Sequence, residues 1–312
     1  MKTLRKLTLT VSATLGIAGL AAAPCGAIDY QPFDWVPLPP GTNVVMGYYE
    51  YGKHDAYNNT LTGTITENTT LDSNIGIARY LRYADADHLI FGHQWDFNVL
   101  VPFGSLSNGK IDGYHLGNAS GVGDPIVTAG FWFINDPDKG RWLSAADYVT
   151  IPIGSYERYK PLNLGGNRWV NDLQADFTQV FLNKWTIDVS ADWIYYGDNT
   201  EAGATGNQRL SQEASYGAWA WLGYDLSDAV RRVLPSSSHS TLAIGYAGTF
   251  GGAQKLDNGT TGAKTEEQQI RLTYMMFLTQ TWQGLISVSH DVHVAGQFDQ
   301  QFGLTLRIAK LF

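Results

Sequence analysis

The chain has 312 residues, of which 16% are charged, 44% hydrophobic and 13% aromatic; its formal net charge is −8 and its mean hydropathy −0.17. Soluble globular chains carry about 25% charged residues, so this surface meets less water than usual, yet beyond residue 27 no apolar run approaches the roughly 20 residues of a spanning helix. A helical membrane protein is excluded, disorder is excluded by the aromatic content, and the acidic balance sets nucleic acid aside as a partner.

Taken in chain order, residues 1–27 read as a cleavable export signal. Lys2, Arg5 and Lys6 precede an apolar run from Leu7 to Ala23, and Cys25-Gly26-Ala27 offers a small-residue cleavage site before Ile28. Pro24 directly before Cys25 argues against a lipid-modified cysteine. Cleavage would remove the lone cysteine and three cations, leaving 18 basic against 29 acidic residues, a net −11. The mature protein is then exported and free of disulfides. Residues 28–42 contain Pro32, Pro37, Pro39 and Pro40 with Phe33 and Trp35. So many prolines exclude a central strand, and the segment is expected to plug or line the periplasmic mouth of a barrel built from residue 43 onward.

From residue 43 the dominant signal has a period of two. Candidate strands cover 43–52, 71–82, 89–101, 120–134, 141–152, 168–181, 184–196, 210–226, 239–250, 270–278, 282–294 and 302–312. The clearest is 184–196, where Trp185, Ile187, Val189, Ala191, Trp193 and Tyr195 alternate with Thr186, Asp188, Ser190 and Asp192. Leu89–Val101 sets Leu89, Phe91, Trp95, Phe97, Val99 and Val101 against Gln94, Asp96 and Asn98. Near the C-terminus, Ile270, Leu272, Tyr274, Met276 and Leu278 share one face, as do Phe302, Leu304, Leu306, Ile308 and Phe312. About 12 strands result, an even number.

Alternation is shared by soluble sandwiches and membrane barrels. Three features favour the barrel. The segments run for roughly 10–14 residues, against about 5–6 in soluble sheets and about 9–11 for a tilted bilayer crossing. Long gaps rich in Gly, Asn and Thr (53–70, 102–119, 153–167, 197–209, 251–264) alternate with shorter ones (83–88, 135–140, 182–184, 279–281), with 227–238 and 295–301 as exceptions. Trp142, Trp169, Trp185, Tyr195, Tyr196 and Trp282 stand near segment ends, where a headgroup boundary favours such rings. Register closes at two turns: pairing Phe181 with Trp185 aligns Phe177 with Val189 and Leu173 with Trp193, and pairing Leu278 with Trp282 aligns Tyr274 with Ile286 and Leu272 with Val288.

The same register puts Gln174 opposite Asp192, Asp176 opposite Ser190 and Thr178 opposite Asp188, with Asp172 on the same face. Four carboxylates on lipid would each cost a few kcal/mol, so this face is expected to point into the lumen. Asp96 and Asp291 are expected to join it, with Arg271 and Arg307 as inward cations. Such a wall is either merely hydrated or a field that disfavours anions. Catalytic patterns are missing: the His residues are scattered, and neighbouring Ser289, His290 and Asp291 point to opposite faces and do not converge. No catalytic residue, cofactor or metal is expected.

Asp29-Tyr30, Leu38-Pro39-Pro40-Gly41-Thr42-Asn43 and Tyr48-Tyr49-Glu50-Tyr51, then Gly121-Val122-Gly123-Asp124-Pro125 and Pro152-Ile153-Gly154-Ser155-Tyr156, resemble the outer-membrane proteins associated with the meta-cleavage pathway of phenol degradation. The resemblance runs along nearly the whole mature chain and implies an outer-membrane barrel admitting aromatic or other hydrophobic compounds. The terminal Phe312 resembles the insertion signal read by the barrel assembly machinery, although Lys310 departs from the usual pattern. The expectation is an all-β, antiparallel up-and-down barrel over 43–312, seated in outer-membrane lipid and passing small organic solutes. Two alternatives stand beside it: a closed structural or adhesive barrel, and a soluble secreted carbohydrate-binding β protein.

Overall fold

A computed structural model describes residues 30–312 apart from 61, 204, 238 and 258–260. The signal expected over 1–27, and Ile28 after it, lie outside the described residues. The chain forms β1 (Asn43–Asn59), β2 (Gly63–Ile65), β3 (Thr70–Tyr83), β4 (Trp95–Ile111), β5 (Tyr114–Val122), β6 (Ile126–Asp136), β7 (Arg141–Thr150) and β8 (Val170–Phe181). It continues with β9 (Trp185–Tyr196), β10 (Asn199–Ala202), β11 (Gln208–Gln212), β12 (Ser215–Asp225), a short helix α1 (Ser227–Arg231), β13 (Ser240–Leu256), β14 (Thr261–Phe277), β15 (Trp282–Ala295) and β16 (Phe298–Leu311). Among the described residues no helix is long and apolar enough to cross a membrane.

Every ladder is antiparallel, and β1 pairs with both β3 and β16, which closes the sheet on itself. β5 and β6 both pair with β4 and act as one wall strand broken at Gly123-Asp124-Pro125. The wall therefore has 12 strands, with β2, β10 and β11 as extensions beyond it. The expected registers hold at both turns, Phe177 opposite Val189 and Leu272 opposite Val288. Closure leaves no free edge within the wall.

Alternation then decides what each strand buries. Leu173, Val189, Trp193, Ile244, Leu272 and Ile308 stand exposed on the outer surface, while Asp176, Thr178, Asp188, Asp192 and Thr273 are buried inside. In water this arrangement is inverted, because an apolar belt around the whole molecule far exceeds the few hundred Å² that a soluble surface carries. In hydrocarbon it is the low-energy arrangement.

Several expected boundaries are corrected. Strand 89–101 begins only at Trp95: Phe91 and Gly92 take positive φ (51° and 80°), the chain reverses through an Ile90–His93 bridge, and Phe91 stands 96% exposed on the turn. Most of the long gaps are extended strand, since β1 reaches Asn59, β4 reaches Ile111 and β13 reaches Leu256. There the ladder continues past the apolar belt, so hydrogen bonding persists where hydrophobic contrast has ended. The 153–167 gap is a true loop. Segment 210–226 divides at Glu213-Ala214 into β11 and β12. Two of the supposed boundary aromatics, Trp142 and Tyr196, are buried in the lumen, whereas Trp169, Trp185, Tyr195 and Trp282 face outward.

Candidate functional site

The described part of the N-terminal segment runs inside the half of the barrel that carries the short turns. Its aromatic residues supply rings, and its prolines keep the backbone out of any ladder, so its polar groups turn to the wall. Tyr30 Oη lies 2.9 Å from Asp176 Oδ2 and 2.5 Å from Asp188 Oδ2, and the Phe33 amide donates to Asp188 Oδ2 at 2.6 Å. Thr178 Oγ1 sits between the remaining oxygens, 3.2 Å from Asp176 Oδ1 and 2.9 Å from Asp188 Oδ1. One carboxylate pair of the hairpin is thus spent on holding Tyr30 and Phe33.

Trp35 extends the attachment. Its Nε1 donates to Gln174 Oε1 at 2.6 Å, and its carbonyl accepts from Trp132 Nε1 at 2.8 Å. Its ring packs 5.5 Å from Trp132 and 6.4 Å from Tyr148, centroid to centroid. The wall opposite is cut back to receive it: a Cβ on Gly130 would stand 2.5 Å from Trp35 Cζ3. Gln94 donates to the Leu38 carbonyl at 2.7 Å. Asp34 meets Arg307 Nη1 at 2.6 Å and lies 3.9 Å from Arg79 Nη1. Hydrogen-bonded charge of this kind is what a buried pair requires to offset its desolvation.

Toward the other rim lies a cavity of about 350 Å3. One side is apolar, with buried Leu71, Leu106, Leu162 and Leu164; the other carries Asp172, Gln269 and Arg271. Tyr148 and Trp219 line it and also touch the segment below, Tyr148 through Trp35 and Trp219 through Tyr30 at 6.5 Å between centroids. Loop 151–169 is folded against the break in the wall by Asp124, whose Oδ1 accepts from the Gly154 amide at 2.7 Å and whose Oδ2 accepts from Gly166 at 2.6 Å.

The nine inward residues proposed from the sequence therefore fall into three groups. Asp176, Asp188, Gln174 and Arg307 hold the N-terminal segment, and Asp96 lies beneath it, accepting from the Gly130 amide at 2.9 Å. Asp172 and Arg271 line the cavity, and Asp192, opposite Gln174, is buried in the same wall as Asp172. Asp291 stands apart, held by Gln269 Nε2 at 2.7 Å and the Gln300 amide at 2.6 Å. Sequence reasoning missed Tyr30, Asp34, Trp35, Arg79, Tyr148 and Trp219. Arg79 carried a signal, since it alternates with Ile77 and Leu81 and so shares their face; the partners of the N-terminal segment carried none. Ser289 and His290 do not converge: Ser289 Oγ accepts from Gln300 Nε2, while His290 Nδ1 lies 2.8 Å from the Gln301 carbonyl. Among the described residues, Asp85, Asp87 and His88 bring three ligand atoms within 4.8 Å of one another on an exposed turn, where Asp85 is already tied to Arg82 at 2.7 Å.

A closed antiparallel wall with an apolar outer belt, a polar lumen and its long loops at one rim defines an outer-membrane β-barrel. Within that class the chain belongs to the family described as "Putative MetA-pathway of phenol degradation", which residues 54–308 match. It is similar to the COG4313 outer membrane channel from Pseudomonas putida F1, at 31% identity over 91% of this chain and 100% of that one, with a TM-score of 0.81. The translocator domain of the autotransporter NalP from Neisseria meningitidis shares the barrel fold at 12% identity, over 89% of this chain and 90% of that one, with a TM-score of 0.50. No curated protein matches the chain. The fold is that of an outer-membrane channel.

Proposed function

We propose that the protein is a passive channel for small organic solutes of aromatic or otherwise hydrophobic character, exported by a cleaved signal and assembled into the outer membrane through Phe312. One observation carries this reading: the lumen holds a half-apolar cavity directly above a segment that belongs to no strand and is attached to the wall only by side chains and its own backbone polar groups. A wall strand is held by a full ladder; residues 30–40 are not, Gly41 and Thr42 being the first to pair with Ala84 and Tyr83, so 30–40 can leave without opening the barrel. Leu71, Leu106, Leu162 and Leu164 offer an apolar solute a surface that water does not hold strongly. The inward carboxylates, with Arg271 and Arg307 opposing them, disfavour anions along the path.

The likeness to an outer membrane channel at 31% identity supports the transport reading over a catalytic one. The seated segment favours a second reading, a barrel closed for good whose long loops are its working surface. Planar-bilayer recording of the full mature protein and of a variant lacking residues 28–40 separates them. A channel shows intermittent conductance in the first and sustained conductance in the second, together with uptake of a neutral aromatic solute into proteoliposomes. A barrel silent in both forms overturns the proposal.

A further inference from the structure

We propose that the turn between β3 and β4 is a lipid-binding anchor, whose tip residues Ile90 and Phe91 insert into the headgroup boundary of the phospholipid leaflet at the short-turn rim. In outer-membrane barrels that rim faces the periplasm. The proposal rests on the barrel, whose outer face meets lipid, and on nothing that passes through it.

Turn chemistry does not ask for phenylalanine at position 91. The Ile90 amide donates to the His93 carbonyl at 3.1 Å, and the His93 amide donates back to the Ile90 carbonyl at 2.8 Å. Phe91 and Gly92 are therefore the two central residues of a tight hairpin, and both take positive φ, 51° and 80°. That is the pattern of a type I′ turn, which favours Asn, Asp or Gly at its first central position. A bulky side chain is out of place there. Phe91 gains nothing inside the fold in return, since it is 96% exposed, with Ile90 beside it 45% exposed. A large ring held in an unfavourable turn position and directed away from the protein has its reason outside the protein.

The hairpin is fastened to the lipid-facing side of the wall, which names the partner. Trp95 shares its strand face with the exposed Phe97, and its Nε1 donates to the His88 carbonyl at 2.8 Å. The His93 ring packs 5.4 Å from Phe131, and Phe131 packs 5.1 Å from Phe133, which is 53% exposed on β6. An aromatic row thus runs from the outer belt to the base of the hairpin, and Ile90 and Phe91 continue it. Charge gathers on the shoulder of the same turn: exposed His88 lies 2.9 Å from Asp87, and Arg82 meets Asp85 at 2.7 Å. An apolar tip beside a charged shoulder suits the headgroup boundary, where rings are favoured and charges stay wet. The neighbouring short turn, with Asp136, Pro137, Asp138 and Lys139, has no such tip.

Two measurements test the anchor on the full mature protein in vesicles of phosphatidylethanolamine and phosphatidylglycerol, with folded protein selected by heat-modifiable migration. The first sets turn chemistry against lipid contact. Asn suits the positive φ at position 91 better than Phe, so a tip standing in water gains stability from Phe91→Asn and a tip seated in lipid loses it. Denaturant unfolding should give a lower midpoint for Phe91→Asn, and Phe91→Trp should stay near wild type. The second measurement reads depth. Residues 28–312 contain no cysteine, so Phe91→Cys and Asp138→Cys each carry a single fluorophore. Lipids with a quencher near the headgroup should place the label at 91 about 5–10 Å inside the boundary, shielded from aqueous iodide. The label at 138 should be quenched by iodide and not by lipid. A Phe91→Asn midpoint at or above wild type, or iodide access at 91 equal to that at 138, overturns the anchor and leaves the tip free for a periplasmic protein. Neither measurement involves a solute, so failure here leaves the channel reading standing, and a barrel silent in bilayers leaves the anchor standing.

Discussion

Asp34 and Arg307 are 273 residues apart in the chain and 2.6 Å apart in the lumen. Arg307 lies on β16, opposite Tyr48 of β1, at the seam that closes the barrel. The N-terminal segment thus takes its nearer charged partner from the last strand, with Arg79 of β3 3.9 Å from Asp34. The Arg307 guanidinium group also donates to Gln283 at 2.9 Å and lies 5.7 Å from the Tyr48 ring, so the seam is already rigid where Asp34 attaches.

The first prediction concerns this pair. Asp34→Ala leaves Arg307 buried without its carboxylate, and removing one member of a buried pair costs about 3–5 kcal/mol. The loss falls on the seating of residues 30–40 and not on the ladders. Planar-bilayer recordings should show a marked rise in open time for Asp34→Ala, with heat-modifiable migration unchanged. Unaltered gating would show that the pair does not hold the segment.

Tyr30→Phe removes one hydroxyl from between two carboxylates, leaving Asp176 and Asp188 facing each other. The segment should loosen and the barrel should persist. Hydrogen exchange at the Phe33 amide, which donates to Asp188, should quicken by about an order of magnitude for each 1.4 kcal/mol lost. Protection equal to wild type would assign the hold to Trp35 instead.

Face assignment is tested on neighbours. Val189 and Leu272 are exposed on the outer belt, so Val189→Arg or Leu272→Arg should destabilise the folded barrel by roughly 2–4 kcal/mol. Asp188→Asn, one residue from Val189 but inward, should release Tyr30 and spare the wall. Denaturant unfolding in lipid vesicles measures both. A larger loss for Asp188→Asn than for Val189→Arg would invert the faces.

Phe312 closes the seam with its backbone as well as its ring: its amide donates to the Asn43 carbonyl at 3.0 Å, and its carbonyl accepts from the Asn43 amide at 2.9 Å. Deleting it should lower the amount of folded barrel in the outer membrane while export continues. Phe312→Ala keeps the backbone bonds and isolates the ring. Normal assembly of both variants would remove Phe312 as a signal.

His239, in the turn between α1 and β13, sits 2.9 Å from Thr241 Oγ1, and desolvation by the groups around it lowers its pKa from the ordinary value although the residue stays partly exposed. The folded turn favours neutral imidazole, so its contribution is present above the unfolded pKa of about 6.5 and lost as pH falls below that. The protection of the Ser240 amide, which donates to Ser227 Oγ, taken relative to the intrinsic exchange rate at each pH, should be lower at pH 5 than at pH 7.5. His239→Gln should abolish the difference.

What the sequence determined by itself is the faces of the strands. Strict alternation in Lys184–Tyr196 places Val189 and Asp188 on opposite sides whatever surrounds them, because successive side chains of a strand must diverge. Register was legible at the turns after Phe181 and Leu278, because a hairpin ties two alternating faces together. The tertiary structure decided which inward groups meet. Asp176 and Asp188 look alike to Asp172 and Asp192 in the sequence, yet only the first pair receives Tyr30, since height along the barrel axis is set by the stagger of the closed wall. Trp142 and Tyr196 read as boundary rings because nearness to a strand end is visible in one dimension and the side they face is not. The attachment of residues 30–42 left no trace, because Tyr30, Asp34 and Trp35 form no repeating pattern and their partners lie on strands far along the chain. Periodicity records how a residue relates to its own strand; contacts across a lumen depend on ring closure, which no local stretch of the chain encodes.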